Sequence, residues 1–173
     1  MAGLNAIDSA QLSEDLFRCC GSHVWVQRML SARPYQSELH LRAVADQAWW
    51  SLPQEEWLFA FLSHPRIGDV NALKEKFAKN PSAWEGGEQS GADDANESTL
   101  LALQAGNEEY YQKFGHLFLI CATGKTADEM LSSLRLRLPN AKHTELLVAT
   151  GEQAKITHLR LSKLLAERAR SNL

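Results

Sequence analysis

The chain has 173 residues, 45% of them apolar and 23% charged, with a formal net charge of −3. These are the values of a soluble globular domain, and they exclude disorder along the whole length. They also argue against a general nucleic-acid binder, which needs surplus Lys and Arg, and against a transmembrane protein, since no apolar run approaches the roughly 20 residues that span a bilayer.

Read in order, the sequence predicts helices broken at Pro and Gly. Ser9 to Cys20 places Leu12, Leu16 and Cys20 at spacings of four, with Gly21 as the stop. Ser22 opens a second helix carrying Trp25 and Met29, ended before Pro34. Ser37 to Trp50 carries a stripe of helical period through Leu41, Val44, Ala45, Ala48 and Trp49. Pro53 suits the first turn of a helix running through Trp57, Phe61 and Leu62. His64 precedes Pro65, which disfavours the α region before it, so His64 is expected where that helix ends.

Asp69 can cap a helix through Leu73 and Phe77 to Asn80-Pro81, and Pro81 to Gly91 reads as a loop. A long helix is expected from Asp93 to Lys113, its acidic first turn (Asp93, Asp94, Glu97) matched to the helix dipole. Phe118 to Ala122 is a short apolar run that fits a buried extended segment or a helix start equally well. Thr126 to Glu129 is a capping box for a helix to about Leu138. Beyond Pro139 and Asn140 a last helix continues to roughly Arg168. The expected fold is all-α, a single compact domain over residues 1–173 with about eight helices.

Cys19, Cys20 and Cys121 are too few and too badly placed for a disulfide framework, which suits a reducing compartment. The N-terminus lacks the basic and apolar stretches of a secretory signal. Ser171-Asn172-Leu173 echoes a peroxisomal address without its central base, so the cytoplasm is the expected location.

Several familiar motifs fail on inspection. Gly124-Lys125-Thr126 resembles the end of a P-loop, but the required earlier glycine is Leu119. No dinucleotide fingerprint and no nucleophile elbow occurs. The six histidines, His23, His40, His64, His116, His143 and His158, show no spacing that assembles a zinc site, so no metal is expected.

Three places retain interest. An imidazole such as His64, with an ordinary pKa near about 6.5, can donate or accept a proton at neutral pH; at a helix end it can equally bond the last carbonyls. In Gly86-Gly87-Glu88-Gln89-Ser90-Gly91, glycines let a carboxylate and an amide approach a ligand, or simply form a solvated loop. Arg160 has no acidic residue three or four places away. If buried it needs an anion or a carbonyl; otherwise it reaches solvent.

Together the stretches Arg33-Pro34-Tyr35, His64-Pro65-Arg66-Ile67-Gly68, Glu88-Gln89-Ser90-Gly91-Ala92, Asn107 with Tyr110, Lys113-Phe114-Gly115, Phe118 to Ala122, and Ile156 with Leu159-Arg160-Leu161 occur in order over nearly the whole chain. In this the sequence resembles the OHCU decarboxylases, which act on 2-oxo-4-hydroxy-4-carboxy-5-ureidoimidazoline in urate breakdown. The resemblance implies an all-helical, cofactor-free carboxy-lyase, usually a homodimer, that releases carbon dioxide and gives (S)-allantoin. It implies catalytic roles for His64 and Glu88. It implies substrate contacts from Pro65, from Glu85, Gly86, Gly87, Glu88 and Gln89, from the main chain of Phe118, Leu119, Ile120, Cys121 and Ala122, and from Arg160. Glu85 departs from relatives with Ser there, and its carboxylate would repel an anionic substrate. The rival readings are a non-catalytic helical interaction module and a related ureide-processing hydrolase.

Overall fold

The computed structural model describes residues 1–64 and 97–170. Among these residues there are eight helices and no strand, so the all-α class holds. The elements expected around Asp69 to Asn80, Pro81 to Gly91 and Asp93-Asp94 lie outside the described residues. The chain divides into two compact units, Met1–Ser63 with Gln153–Leu173, and His64–Glu152.

The first unit begins with α1 (Ala2–Ala6), α2 (Ser9–Cys20) and α3 (His23–Ser31). The Asp8 carboxylate caps α2 by accepting the main-chain N–H groups of Ala10 at 2.9 Å and Gln11 at 3.3 Å. Gly21 ends it in the left-handed conformation, φ 82°, and its N–H donates to the Phe17 carbonyl. Leu12, Leu16, Cys19 and Cys20 are wholly buried. Burial pushes both thiols up, that of Cys20 to about 12, so they act as small neutral core residues.

Ser22 caps α3 through the Trp25 N–H, and Ser37 caps α4 (Glu38–Trp50) through the His40 N–H. α3 packs against both α2 and α4. The buried Trp25 indole secures the second contact by donating to the Ala45 carbonyl at 3.0 Å. α1, too short to show a period, is tied down by Arg33, whose guanidinium donates to the carbonyls of Asn5 and Ile7.

α5 (Gln54–Phe61) starts one residue later than expected. Pro53 has ψ 157°, an extended value, so it precedes the first turn instead of joining it. The helix tightens at its end, where Leu62 and Ser63 donate to the carbonyls of Phe59 and Ala60. A Cβ on Gly21 would lie 2.6 Å from Ser63 Oγ, so only glycine fits where the end of α2 meets this turn. His64 follows directly, half-buried at the helix end as expected.

The second unit holds α6 (Glu97–Phe114) packed on α7 (Ala127–Arg137) and the first turns of α8 (Lys142–Arg170). Gly106 permits that packing: a Cβ there would stand 2.6 Å from Leu134 Cδ2. Thr126 and Glu129 form the reciprocal capping box at the start of α7, which disposes of the P-loop resemblance. The core of this unit comprises Leu103, Tyr110, Phe114, Phe118, Ile120, Ala122, Ala127, Met130, Leu131 and Leu134.

Candidate active site

Phe118 to Ala122 forms neither helix nor strand. Phe118, Ile120 and Ala122, spaced two apart as in an extended run, enter the core cluster, and Leu119 is buried as well. This decides between the two conformations left open by the sequence. Cys121 is half-buried instead.

A main chain without a ladder must find other partners for its polar groups. The Leu119 carbonyl accepts from Arg137 Nη1 at 2.6 Å. The Cys121 N–H donates to Glu152 Oε2 at 2.7 Å, and the Ala122 carbonyl accepts from Lys125. Among the described residues, no hydrogen bond engages the main chain of Ile120. The segment therefore leaves the Ile120 amide and carbonyl open, between a Leu119 carbonyl and a Cys121 amide that are already held.

Arg137 is itself held from several sides. Its Nε and Nη2 reach Glu145 Oε1 at 2.8 and 2.5 Å, and its guanidinium carbon lies 4.6 Å from the centre of the Phe118 ring. Glu145 is fully buried, so its charge needs this pairing. The Tyr110 hydroxyl donates to the same carboxylate oxygen, and Asn140 Nδ2 donates to the other at 2.7 Å. Burial first, and then the bond to Glu145, raise the Tyr110 pKa, so the phenol stays protonated. The Tyr110 ring also packs on Phe114, His116 and Phe118. His116, buried in this aromatic group, has its pKa lowered chiefly by burial.

Arg160 lies on the part of α8 that belongs to the first unit. It is 2% exposed, so it does not reach for solvent. Its Nη1 donates to the Arg18 carbonyl at 3.2 Å, in the last turn of α2, where a cation also suits the negative end of the helix dipole. Gln153, earlier on α8 and also buried, donates to the Cys20 carbonyl at 3.4 Å.

Of the residues singled out in the sequence, Phe118 to Ala122 stand together, and His64 and Arg160 have the settings just described. Pro65, Glu85, Gly86, Gly87, Glu88 and Gln89 lie outside the described residues. Among the described residues no group of three or more His, Cys, Asp or Glu side chains could hold a metal ion. Sequence reasoning passed over Arg137, Glu145 and Glu152. Arg137 ends α7 and Glu145 begins α8, so both look like charges that merely complement a helix dipole.

The OHCU decarboxylase family model matches residues 5–162. The chain belongs to this family. It is 35% identical to the uric acid degradation bifunctional protein TTL of Arabidopsis thaliana, over 92% of this chain and 49% of that protein. It thus spans about half the length of that relative. Identity to the 2-oxo-4-hydroxy-4-carboxy-5-ureidoimidazoline decarboxylase of Haloferax volcanii is 26%, over 80% of each chain. Among solved structures it resembles an OHCU decarboxylase crystallised in the presence of (S)-allantoin. That match has a TM-score of 0.73 and 35% identity, and covers 88% of this chain and 98% of the other. The family's helical fold is the one described above.

Proposed function

We propose that the chain decarboxylates 2-oxo-4-hydroxy-4-carboxy-5-ureidoimidazoline to (S)-allantoin. The observation that carries this reading is the family match along residues 5–162. The decarboxylase structure obtained with (S)-allantoin supports it further.

The chemistry suits the residues. Breaking the bond to the carboxylate releases carbon dioxide and leaves its electron pair on the ring. The adjacent ring C=N bond takes that pair, so the substrate supplies its own electron sink. The protein then has to orient the ring, exclude water and move protons. His64 donates the proton that restores a tetrahedral ring carbon. Glu88 holds the imidazole or accepts the proton of the substrate hydroxyl. A proton delivered from one fixed side gives one enantiomer.

Arg160 orients a ring or ureido oxygen with its planar donors and offsets the charge that builds there. A grip on the departing carboxylate would instead stabilise the ground state and slow the reaction. The main chain of the 118–122 segment meets the ureido group, with the open amide and carbonyl of Ile120 among the groups that can serve. Pro65 and residues 85–89 are the remaining substrate contacts in this reading, and the enzyme works as a cytoplasmic homodimer.

The test generates the unstable substrate in place from urate and follows the product by circular dichroism. Faster appearance of (S)-allantoin than in the uncatalysed control is expected. A rate equal to that control, or a racemic product, overturns the proposal.

A further inference from the structure

We infer that Glu152 is a positioning residue whose carboxylate holds the Cys121 amide and so presets the 118–122 main chain for substrate. The inference rests on the reading that this main chain meets the substrate.

Packing alone does not fix the segment evenly. Phe118, Ile120 and Ala122 are anchored by their side chains in the core, whereas Cys121 is only half-buried. At that position the carboxylate of Glu152, 2.7 Å from the amide nitrogen, supplies the anchor. Glu152 stands well inside α8, on a rigid element, and away from the helix ends where an acidic side chain would serve the dipole. Arg137 holds the neighbouring Leu119 carbonyl from α7. The two bonds flank Ile120, whose own amide and carbonyl stay open for a ligand. Holding a binding segment in its bound shape beforehand lowers the ordering cost of association.

The experiment compares the full-length wild type with Glu152→Gln, Glu152→Asp and Glu152→Ala. Gln keeps an acceptor oxygen at the same reach and removes the charge. Asp keeps the charge and withdraws it by one methylene. Each protein is assayed for thermal midpoint, for KM and kcat on substrate generated from urate, and for (S)-allantoin affinity by calorimetry. The expected result is a Gln variant within about twofold of wild type in every binding measure. The Asp variant should raise KM and Kd about tenfold with kcat little changed, the pattern of lost uniform binding. The Ala variant should match it, and replaces it if Asp does not fold.

A role confined to stability would lower the thermal midpoint and leave KM and Kd alone, which overturns the inference. So does the reverse order, with Gln impaired and Asp intact, because it assigns the effect to charge. A wild type that neither turns over this substrate nor binds (S)-allantoin fails the functional reading itself, and the inference with it. A working wild type with unimpaired Asp and Ala variants sinks the inference alone.

Discussion

Arg160 Nη1 stands 3.2 Å from the Arg18 carbonyl oxygen, so the arginine assigned to substrate also finishes the end of α2. Two roles predict two losses. Arg160→Ala should cost about 1.5–3 kcal/mol of stability, the usual range for a hydrogen bond made by a charged group. It should also weaken (S)-allantoin binding. Urea unfolding reads the first loss and titration calorimetry the second. A destabilised variant with wild-type affinity would remove Arg160 from the site and leave it a helix cap.

His64 follows the tightened end of α5 and is half-buried, outside the core cluster of the second unit. His64→Ala should therefore keep its helical circular dichroism and thermal midpoint. Its rate on substrate generated from urate should fall about 10²–10⁴-fold, the usual contribution of a placed acid or base. A variant that still forms the single enantiomer at near wild-type speed would falsify the proton-donor role.

The buried pair of Arg137 and Glu145 predicts a large asymmetric cost. Arg137→Ala leaves the Glu145 charge enclosed without its main partner, and about 3–5 kcal/mol of stability should be lost. Arg137→Ala with Glu145→Gln should recover part of that loss, since the enclosed charge is gone. Chemical denaturation of both variants checks the order; a double variant less stable than the single one contradicts it.

His116 makes stability depend on pH. Burial lowers its folded pKa below the ordinary value of 6.5, so the unfolded chain takes up a proton first as pH falls. The stability from neutral His116 is complete above pH about 6.5 and is lost as pH falls from there through the folded pKa. One such group contributes a slope of at most about 1.4 kcal/mol per pH unit. Replacing His116 with Phe, which suits the surrounding rings, should flatten the wild-type slope between pH 6.5 and 5.5 in urea titrations. Parallel slopes for the two proteins would exclude His116 as the source.

Much of the helical frame was legible because its signals are local. Ser22 and Thr126 open the helices they were expected to open, and Gly21 stops α2 where expected. These residues act on main-chain groups two to four places away, and sequence preserves that distance. Phe118 to Ala122 was not decidable, because a five-residue apolar run fits either period. α1 was not anticipated, since its anchoring depends on Arg33, distant in sequence. For Arg160, the absence of a nearby acid called for an anion or a carbonyl if buried, but did not say which; the fold supplies the Arg18 carbonyl. Arg137, Glu145 and Glu152 were hidden for the same reason: their partners are brought to them only by the fold.

The missing side chain at position 21 has a reach beyond its own turn. Any atom added there presses on Ser63, and the next link of the chain is His64. Whatever shift Ser63 makes is passed along the main chain to the residue that follows it. In a mutational scan, position 21 should sort by phenotype with the histidine and not with ordinary surface bends.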